Sequence, residues 1–240
     1  MLDPMSATSV YRQIRSRAAD LLFTARILFR PTQRRHAWRF LRSRSKDYLL
    51  HSDSPWITFD AIDYLEQFMT PDYRVFEYGS GGSTLFWLRW TRNVVSVEHD
   101  AIWYQMMQKR LGENSPVDYR LIIPGELTGL PHIDPADPSH YASDDPPWRG
   151  MSFREYVCQI DGFRDASFDV VLIDGRARTS CADHAASKVR SGGLLIVDDA
   201  ERVYYLTGAA EQLAGFVRHR FTGCRPVNKW FSSTDIYVRK

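Results

Sequence analysis

The sequence predicts an α/β fold: a doubly wound, mostly parallel seven-stranded sheet with helices on both faces, plus an N-terminal helical extension. Two observations carry this prediction. From residue 74 onwards, short apolar segments alternate with segments whose apolar residues recur at helical spacing, which is typical of parallel strands covered by helices on both faces. Residues 224–240 instead contain two β-rich pieces, which predict a C-terminal antiparallel β-hairpin.

The individual elements follow from this alternation. We predict strands at residues 74–78, 94–98, 119–123, 168–173 and 194–197. The helices that fit between and after them cover residues 83–90, 101–111, 153–160, 179–189 and 209–218. Upstream, residues 54–71 predict a capped helix that Pro71 ends. The C-terminal hairpin is expected to turn around residues 232 and 233.

Composition bounds the class of protein. The chain has 240 residues, of which 44% are hydrophobic and 25% charged, as is ordinary for a globular protein. No apolar run approaches the roughly 20 residues that a membrane-spanning helix needs. The three cysteines show no CxxC spacing, and Asp20 and Arg26 interrupt the only N-terminal apolar stretch, so neither disulfides nor a signal peptide are expected. We expect a cytoplasmic protein.

Charge is distributed unevenly along the chain. Residues 1–50 hold 11 Lys and Arg against 3 Asp and Glu, a net charge of +8, whereas residues 51–240 hold 20 against 26, a net charge of −6. We therefore predict a basic extension, 1–50, and a main domain, 51–240. Apolar residues at helical spacing within the extension predict an amphipathic helix. They are Tyr11, Ile14, Ala18, Leu21, Leu22, Ala25, Leu28 and Phe29.

Three roles fit the basic extension. It can cap the sheet or pack in a homodimer, it can lie on the inner face of a membrane through residues 1–46, or it can bind nucleic acid. The apolar stripe suits a protein or a membrane better than phosphates alone, so nucleic acid is the least expected partner. A second basic stretch, residues 34–46, predicts a short helix that carries Trp38 and Phe40.

The stretch VFEYGSGGST, residues 75–84, ends the first predicted strand and opens the next helix. In doubly wound sheets, ligands bind at the carboxyl ends of the strands, and the first turn carries glycines. Gly79 and Gly81 would let the main chain approach a ligand. The dinucleotide pattern G-x-G-x-x-G needs a third glycine where Thr84 stands, which counts against a nicotinamide cofactor.

Two glutamates stand at the ends of the first two predicted strands. Glu77, just before the glycine turn, would repel a pyrophosphate but suits a positively charged group of a ligand. Glu98 ends the second strand, where a carboxylate can accept hydrogen bonds from both hydroxyls of a ribose.

Four segments, FEYGSGGST, SVEHD, FDVVLIDG and SGGLLIVDD, resemble in order and spacing the motifs of the class I S-adenosylmethionine (SAM)-dependent methyltransferases. More narrowly, EYGSGGST, VEHDAIWY, LIDGRAR and DDAERVYY resemble a group of bacterial methyltransferase-like proteins of unsettled substrate. The resemblance covers residues 55–240. It implies a Rossmann-like fold whose seventh strand is antiparallel, SAM as the cofactor and methyl transfer as the reaction.

The resemblance also implies the cofactor-binding positions. Glu77 is expected near the methionine amino group and Glu98 at the ribose hydroxyls, with His99 or Trp103 near the adenosine. The full set of expected cofactor-binding residues is Glu77, Gly79, Ser80, Gly81, Glu98 and His99.

Three aspartates follow the fourth and fifth predicted strands: Asp174, Asp198 and Asp199. Adjacent strands lie about 4.8 Å apart, so these carboxylates should cluster and need compensation. In the first of three arrangements, a resemblance to catechol-type O-methyltransferases implies that all three acids bind Mg²⁺. In the second, arginines pair with the acids, and in the third, Asp199 caps a helix while Asp174 alone faces the cleft. The candidate arginines are Arg176, Arg178 and Arg202.

The expected function is methylation of a hydroxyl group of a small molecule, a glycan or a lipid-linked intermediate. Asp174, Asp198 and Arg176 are the candidate catalytic residues, and the two aspartates can accept the hydroxyl proton. The alternatives are N-methylation of protein or RNA and a catalytically silent SAM-binding scaffold. Residues 124–150 hold six of the twelve prolines and predict a loop that covers the site.

Overall fold

The computed structural model of the protein describes residues 7–45, 48–127 and 132–240, without the side chains of residues 7–16, 49 and 50. The strands are β1 Arg74–Tyr78, β2 Asn93–Glu98, β3 Asp118–Leu121, β4 Gly125–Glu126, β5 Met151–Ser152, β6 Phe168–Ile173, β7 Val189–Val197, β8 Phe216–Gly223 and β9 Ser232–Arg239. The α-helices are α1 Ala7–Leu28, α2 Ala37–Arg42, α3 Tyr48–His51, α4 Phe59–Phe68, α5 Gly82–Leu88, α6 Ala101–Leu111, α7 Arg154–Val157, α8 Arg178–Ala185 and α9 Tyr204–Thr207.

Seven strands form one sheet in the order β3-β2-β1-β6-β7-β9-β8. The first five strands of this order are parallel, and β9 pairs antiparallel with both β7 and β8. The chain leaves β3 at one edge and returns to the other side of β1 as β6, so the strand order reverses between β1 and β6. The predicted fold class is confirmed, and this reversal is where doubly wound sheets bind ligands.

Apolar side chains cover both faces of the sheet, as a parallel sheet requires. Along β6, Val170 and Leu172 belong to one hydrophobic core, and Val171 and Ile173 belong to the other. The first core is closed by side chains of α1, α2, α4 and α5. The second core is closed by α7 and α8. The N-terminal helices therefore complete one of the two cores.

Helix α1 does not bury the stripe that the sequence predicts. Phe23 and Ile27 face the core, whereas Leu22 is 69% exposed and Phe29 is 87% exposed. Of the rest of the stripe, Leu21 and Leu28 are also exposed, while Tyr11 and Ile14 lie outside the described side chains. The helix caps the sheet through the face opposite to its apolar stripe.

Two predictions near the C-terminus are wrong. The helix predicted at 209–218 is replaced by turns followed by strand β8, which begins at Phe216. The hairpin turns between Gly223 and Ser232, which are paired, and not at residues 232 and 233. Pairing with β9 outweighs the local helical composition, and Pro226 lies in the connection, where it interrupts no ladder.

Among the described residues, no helix combines the length and hydrophobicity needed to cross a bilayer. All three cysteines are free thiols, in agreement with their spacing in the sequence.

Neighbouring residues of α1 should differ sharply in their contribution to stability. Ile27 is completely buried, whereas Leu28 is 54% exposed. We expect Ile27→Ala to lower the free energy of unfolding by about 2–5 kcal/mol, and Leu28→Ala to change it by no more than about 0.5 kcal/mol. Urea unfolding of the two variants measures both values. Equal effects would contradict the observed orientation of α1.

Candidate active site

A cleft of about 400 Å³ opens at the carboxyl ends of the central parallel strands. Most of the positions that the sequence singles out line this cleft, together with three side chains that it does not single out. The predicted positions in the lining are Gly79, Ser80, Gly81, Glu98, His99, Trp103, Asp174, Arg176, Arg178, Asp198 and Asp199. The three additional side chains are Trp56, Trp148 and Arg225. One cleft thus brings the glycine turn and the three aspartates together.

The main chain at the bottom of the cleft is closely packed. Gly79 has a φ of +92°, and a Cβ there would lie 3.0 Å from the main-chain atoms of Gly175. A Cβ on Gly175 would in turn lie 2.0 Å from the hydroxyl of Tyr156. The turns after β1 and β6 are therefore in direct contact, which only glycine permits at these two positions.

Glu98 accepts hydrogen bonds from the glycine turn after β1 and from the residues that follow β2. Its Oε2 accepts hydrogen bonds from the Ser80 amide at 3.0 Å and the Ser80 hydroxyl at 2.8 Å. Its Oε1 accepts from the amides of His99 at 2.7 Å and Asp100 at 3.0 Å. Burial alone would raise the pKa of Glu98, but the interactions with His99 and the other donors prevail and lower it. Glu98 is therefore an ionised acceptor in the cleft wall.

Glu77 lies beneath the glycine turn and does not line the cleft. It is completely buried, accepts a hydrogen bond from the Thr84 hydroxyl, and accepts another from Trp87 Nε1 at 3.0 Å. Burial raises its pKa to about 7, although these donors oppose the shift. A direct contact with a ligand would require the carboxylate to leave Thr84 and Trp87. In this structure Glu77 supports the turn from below.

Aromatic rings border the cleft beside β2. His99 packs edge-to-face against Trp148, with ring centroids 4.7 Å apart. Trp103 donates from Nε1 to the Ser80 carbonyl at 2.9 Å, which holds the indole against the glycine turn. The expected adenosine neighbours His99 and Trp103 thus both lie in the cleft wall.

The three aspartates are compensated by two buried arginines. Arg178 Nη2 lies 3.1 Å from Asp174 Oδ1 and 3.2 Å from Asp199 Oδ2. Arg225 Nη1 lies 2.5 Å from Asp198 Oδ2 and 2.8 Å from Asp199 Oδ1. The structure therefore pairs the acids with arginines, as in the second predicted arrangement, but of the three arginines expected there only Arg178 lies within ion-pair distance of these acids in the described part of the chain. Arg225, which the sequence did not indicate, is the other partner.

Three carboxylates against two guanidinium groups leave one negative charge in excess. Asp199 contacts both guanidinium groups, and these outweigh its burial and lower its pKa. Asp174 contacts one guanidinium among the described residues, through Oδ1, and burial raises its pKa to about 6 against the opposing effect of Arg178. Burial and the neighbouring Asp174 also raise the pKa of Asp198 well above its usual range, but both oxygens of Asp198 are engaged by other side chains. Asp174 is therefore the carboxylate of the cluster whose position suits it to gain and lose a proton near neutral pH.

The donor set does not fit the predicted Mg²⁺ site. Both oxygens of Asp198 are engaged, Oδ2 by Arg225 and Oδ1 by the Thr234 hydroxyl at 2.7 Å, and both oxygens of Asp199 face guanidinium groups. A divalent cation would have to displace these arginines. In the described part of the chain, the His, Cys and Asp side chains that lie close enough together to share a metal ion are found elsewhere, as Cys158–Asp161–His184 and His36–Asp60–Asp63.

The other sequence candidates lie outside the cleft wall or serve the loop. Arg176 Nη1 pairs with Asp145 Oδ2 of the 124–150 loop at 2.6 Å. Arg202 lies 3.6 Å from carboxylate oxygens of the same loop. His184 lies 2.9 Å from Asp161 and does not line the cleft.

The loop at 124–150 is anchored at its ends and over the site. Strands β4 and β5 pair antiparallel, with Gly125 opposite Ser152. The Tyr204 hydroxyl donates to Asp144 Oδ2 at 2.5 Å, and Trp148 forms part of the cleft wall. The described part of the loop therefore contributes directly to the cleft.

No protein-family model matches the chain, and no curated protein matches its sequence. Solved structures do match it. A putative O-methyltransferase from Klebsiella pneumoniae is 15% identical with a TM-score of 0.51, over 84% of this chain and 88% of its own. A methyltransferase-like protein from Silicibacter pomeroyi is 22% identical with a TM-score of 0.44, over 75% of this chain and 86% of its own. The first of these shows that the chain has the Rossmann-like fold of class I methyltransferases, as the sequence predicted.

Glu77 should make stability depend on pH. Its pKa is raised from 4.5 to about 7 in the folded chain, so the unfolded state binds fewer protons between these values and stability falls as pH rises through them. We expect the free energy of unfolding of the wild type, relative to Glu77→Gln, to fall by about 3 kcal/mol across this interval.

Urea unfolding of both proteins at several pH values across the interval measures this difference, in which all other titrating groups cancel. The exposed Glu113→Gln should keep the wild-type profile. A constant difference between wild type and Glu77→Gln would show that the buried carboxylate does not titrate as described.

Proposed function

We propose that the chain transfers the methyl group of SAM to a hydroxyl group of a small molecule, a glycan or a lipid-linked intermediate. The observation that carries the proposal is one cleft that holds a glycine turn, an ionised Glu98 and Asp174, whose pKa is raised to about 6. The Klebsiella pneumoniae protein of the same fold is named a putative O-methyltransferase, which supports the reaction class by analogy.

The glycine turn and the end of β2 offer the contacts that SAM binding requires. Gly79 and Gly81 present main chain without side chains, and Glu98 can accept from ribose hydroxyls. In the structure Oε2 of Glu98 already accepts from the Ser80 hydroxyl. Because that hydroxyl also lies 2.7 Å from the Tyr119 hydroxyl, it can turn its hydrogen to Tyr119 and release Oε2 for the ribose.

Asp174 suits the proton transfer that O-methylation requires. SAM supplies an electrophilic methyl group on a sulfonium centre. The protein then has to align the acceptor with that group and take up the hydroxyl proton. With a pKa of about 6, Asp174 is ionised at neutral pH and is a stronger base than an exposed aspartate. Arg178 holds it through Oδ1, which leaves the second oxygen for the acceptor.

The 124–150 loop is positioned to exclude water from the cleft. Asp145 fastens the loop to Arg176 beside Asp174, and Trp148 packs on His99. Closing the cleft in this way would shield the reacting atoms from solvent, and releasing the Asp145–Arg176 pair would open a path for the acceptor.

Calorimetric titration with SAM, and separately with NAD(H), tests the cofactor. We expect binding of SAM at micromolar concentrations and none of NAD(H). Glu98→Gln should weaken SAM binding by about tenfold or more, because a charge-assisted hydrogen bond contributes about 1.5–3 kcal/mol. The control Glu113→Gln makes the same change at an exposed position outside the cleft lining and should bind SAM as the wild type does.

Binding of NAD(H) in place of SAM, or of neither, would overturn the cofactor assignment. Binding of SAM without transfer to any acceptor would favour a SAM-binding scaffold.

Transfer of a labelled methyl group to hydroxyl-bearing small molecules and glycans tests the reaction. We expect kcat to rise with pH through about 6, because Asp174 must be ionised to accept the proton. Asp174→Asn should lower kcat by about a hundredfold or more while SAM affinity is retained. The control Asp118→Asn removes an exposed carboxylate on β3 and should keep wild-type turnover.

Wild-type turnover in Asp174→Asn would contradict the proposed role of this residue as the proton acceptor. Label in protein or RNA, and not in hydroxyl acceptors, would favour N-methylation.

A further inference from the structure

The outer face of α1 exposes a continuous apolar strip that we call the α1 strip, formed by Leu21, Leu22, Leu28 and Phe29. Their exposed fractions lie between 54% and 87%. Leu21 and Leu28 are seven residues apart, which is about two helical turns, so they lie along one line of the helix. Phe29 directly follows α1 and still donates its amide to the Ala25 carbonyl at 3.0 Å, which places it about two turns beyond Leu22. Four large apolar side chains thus share one solvent-facing surface, unlike isolated exposed apolar residues, which are ordinary.

The α1 strip is held rigidly on the body of the protein. On the opposite side of the helix, Phe23 and Ile27 are buried in the core, and Phe23 packs edge-to-face on Phe40 of α2 with ring centroids 5.1 Å apart. The fold therefore fixes the direction in which the strip faces. On α2, Trp38 is also 67% exposed, and tryptophan is a side chain that favours the membrane interface.

Arginines flank the strip on both sides. Arg17 precedes Leu21 by one helical turn, and Arg26 follows Leu22 by one turn, so they border opposite edges of the strip. Arg30 stacks 3.8 Å from the ring centroid of Phe231. Across residues 17–45, whose side chains the structure describes, five exposed arginines form no ion pair with any described carboxylate. They are Arg17, Arg26, Arg30, Arg34 and Arg42.

We propose that the α1 strip and its arginines bind the surface of a membrane rich in anionic lipids, with α1 lying in the plane of the interface. An apolar face bordered by arginines is the pattern of a helix that inserts its side chains between acyl chains while its cations contact headgroup phosphates. Residues 1–50 carry a net charge of +8 and the rest of the chain −6, so the attraction orients this side of the molecule towards the membrane.

Charge favours a membrane over the two other occupants. A second copy docked symmetrically on the strip would bring two segments of charge +8 together, and like charges across an interface oppose association. The phosphates of a nucleic acid could contact the arginines. The centre of that contact, however, would be four apolar side chains, which form no favourable interaction with phosphates.

Vesicle cosedimentation of the full chain tests the proposal without any cofactor, so the result is independent of the proposed methyl transfer. We expect binding to vesicles of phosphatidylcholine and phosphatidylglycerol mixed in equal amounts, weaker binding at high salt, and little binding to phosphatidylcholine alone. The double variant Leu22→Glu/Phe29→Glu should lose at least about tenfold in partition coefficient. The matched control Ile102→Glu changes a residue of α6 that is 74% exposed and should bind as the wild type does.

Thermal unfolding of each variant checks the fold, which we expect to be kept because the changed positions are exposed. Equal vesicle binding by the double variant and the wild type would overturn the proposal. So would a wild-type dimer in light scattering that the double variant converts to a monomer, because the strip would then be a contact between copies. Binding of RNA that the double variant retains, together with no binding to anionic vesicles, would also overturn it.

Discussion

The site depends on the cost of placing three carboxylates out of water at two neighbouring strand ends. An unpaired buried ion costs several kcal/mol, and Arg178 and Arg225 offset that cost for Asp198 and Asp199 by direct contact. Two positive charges cannot balance three negative ones. The excess is shared by Asp174 and Asp198, whose pKa values are both raised by burial and by repulsion from the neighbouring carboxylates. The contacts that stabilise this edge of the sheet are thus the contacts that adjust the chemistry of the cleft.

Sheet topology supplies the groups that this balance requires. Because β9 runs antiparallel to β7, with Asp235 opposite Val197, the connection that precedes β9 lies at the carboxyl end of β7. Arg225 reaches Asp198 and Asp199 from that connection. On the other side, the parallel pairing of β1 with β6 aligns Tyr78 with Ile173, which sets Gly79 against Gly175 and closes the bottom of the cleft. The antiparallel edge and the parallel centre therefore have separate roles in one site.

Local patterns were enough to predict β1, β6 and α6 within the bounds that the structure shows, because their periodicity and capping are properties of adjacent residues. The clustering of the three aspartates was also predictable, since parallel strands end at one edge. The pairing of each arginine with its aspartate was not predictable, because Arg225 is 27 residues from Asp198 and contacts it only through strand pairing. The same non-local pairing replaced the predicted helix at 209–218 with β8. The position of Glu77 beneath the turn follows from strand alternation, which sends it to the face opposite Phe76 and Tyr78.

The contact between Asp198 and Arg225 also has a consequence for the order in which the protein takes shape during translation. The ribosome releases the three aspartates well before Arg225 and Thr234. Until those later residues emerge, Arg178 is the one arginine of this cluster that has been synthesised. Burial of three carboxylates would then cost too much free energy, so we expect the ends of β6 and β7 to stay hydrated. When β9 pairs with β7, Arg225 and Thr234 reach Asp198, and the carboxylates can be buried. We therefore expect the cleft to form only after the antiparallel edge of the sheet.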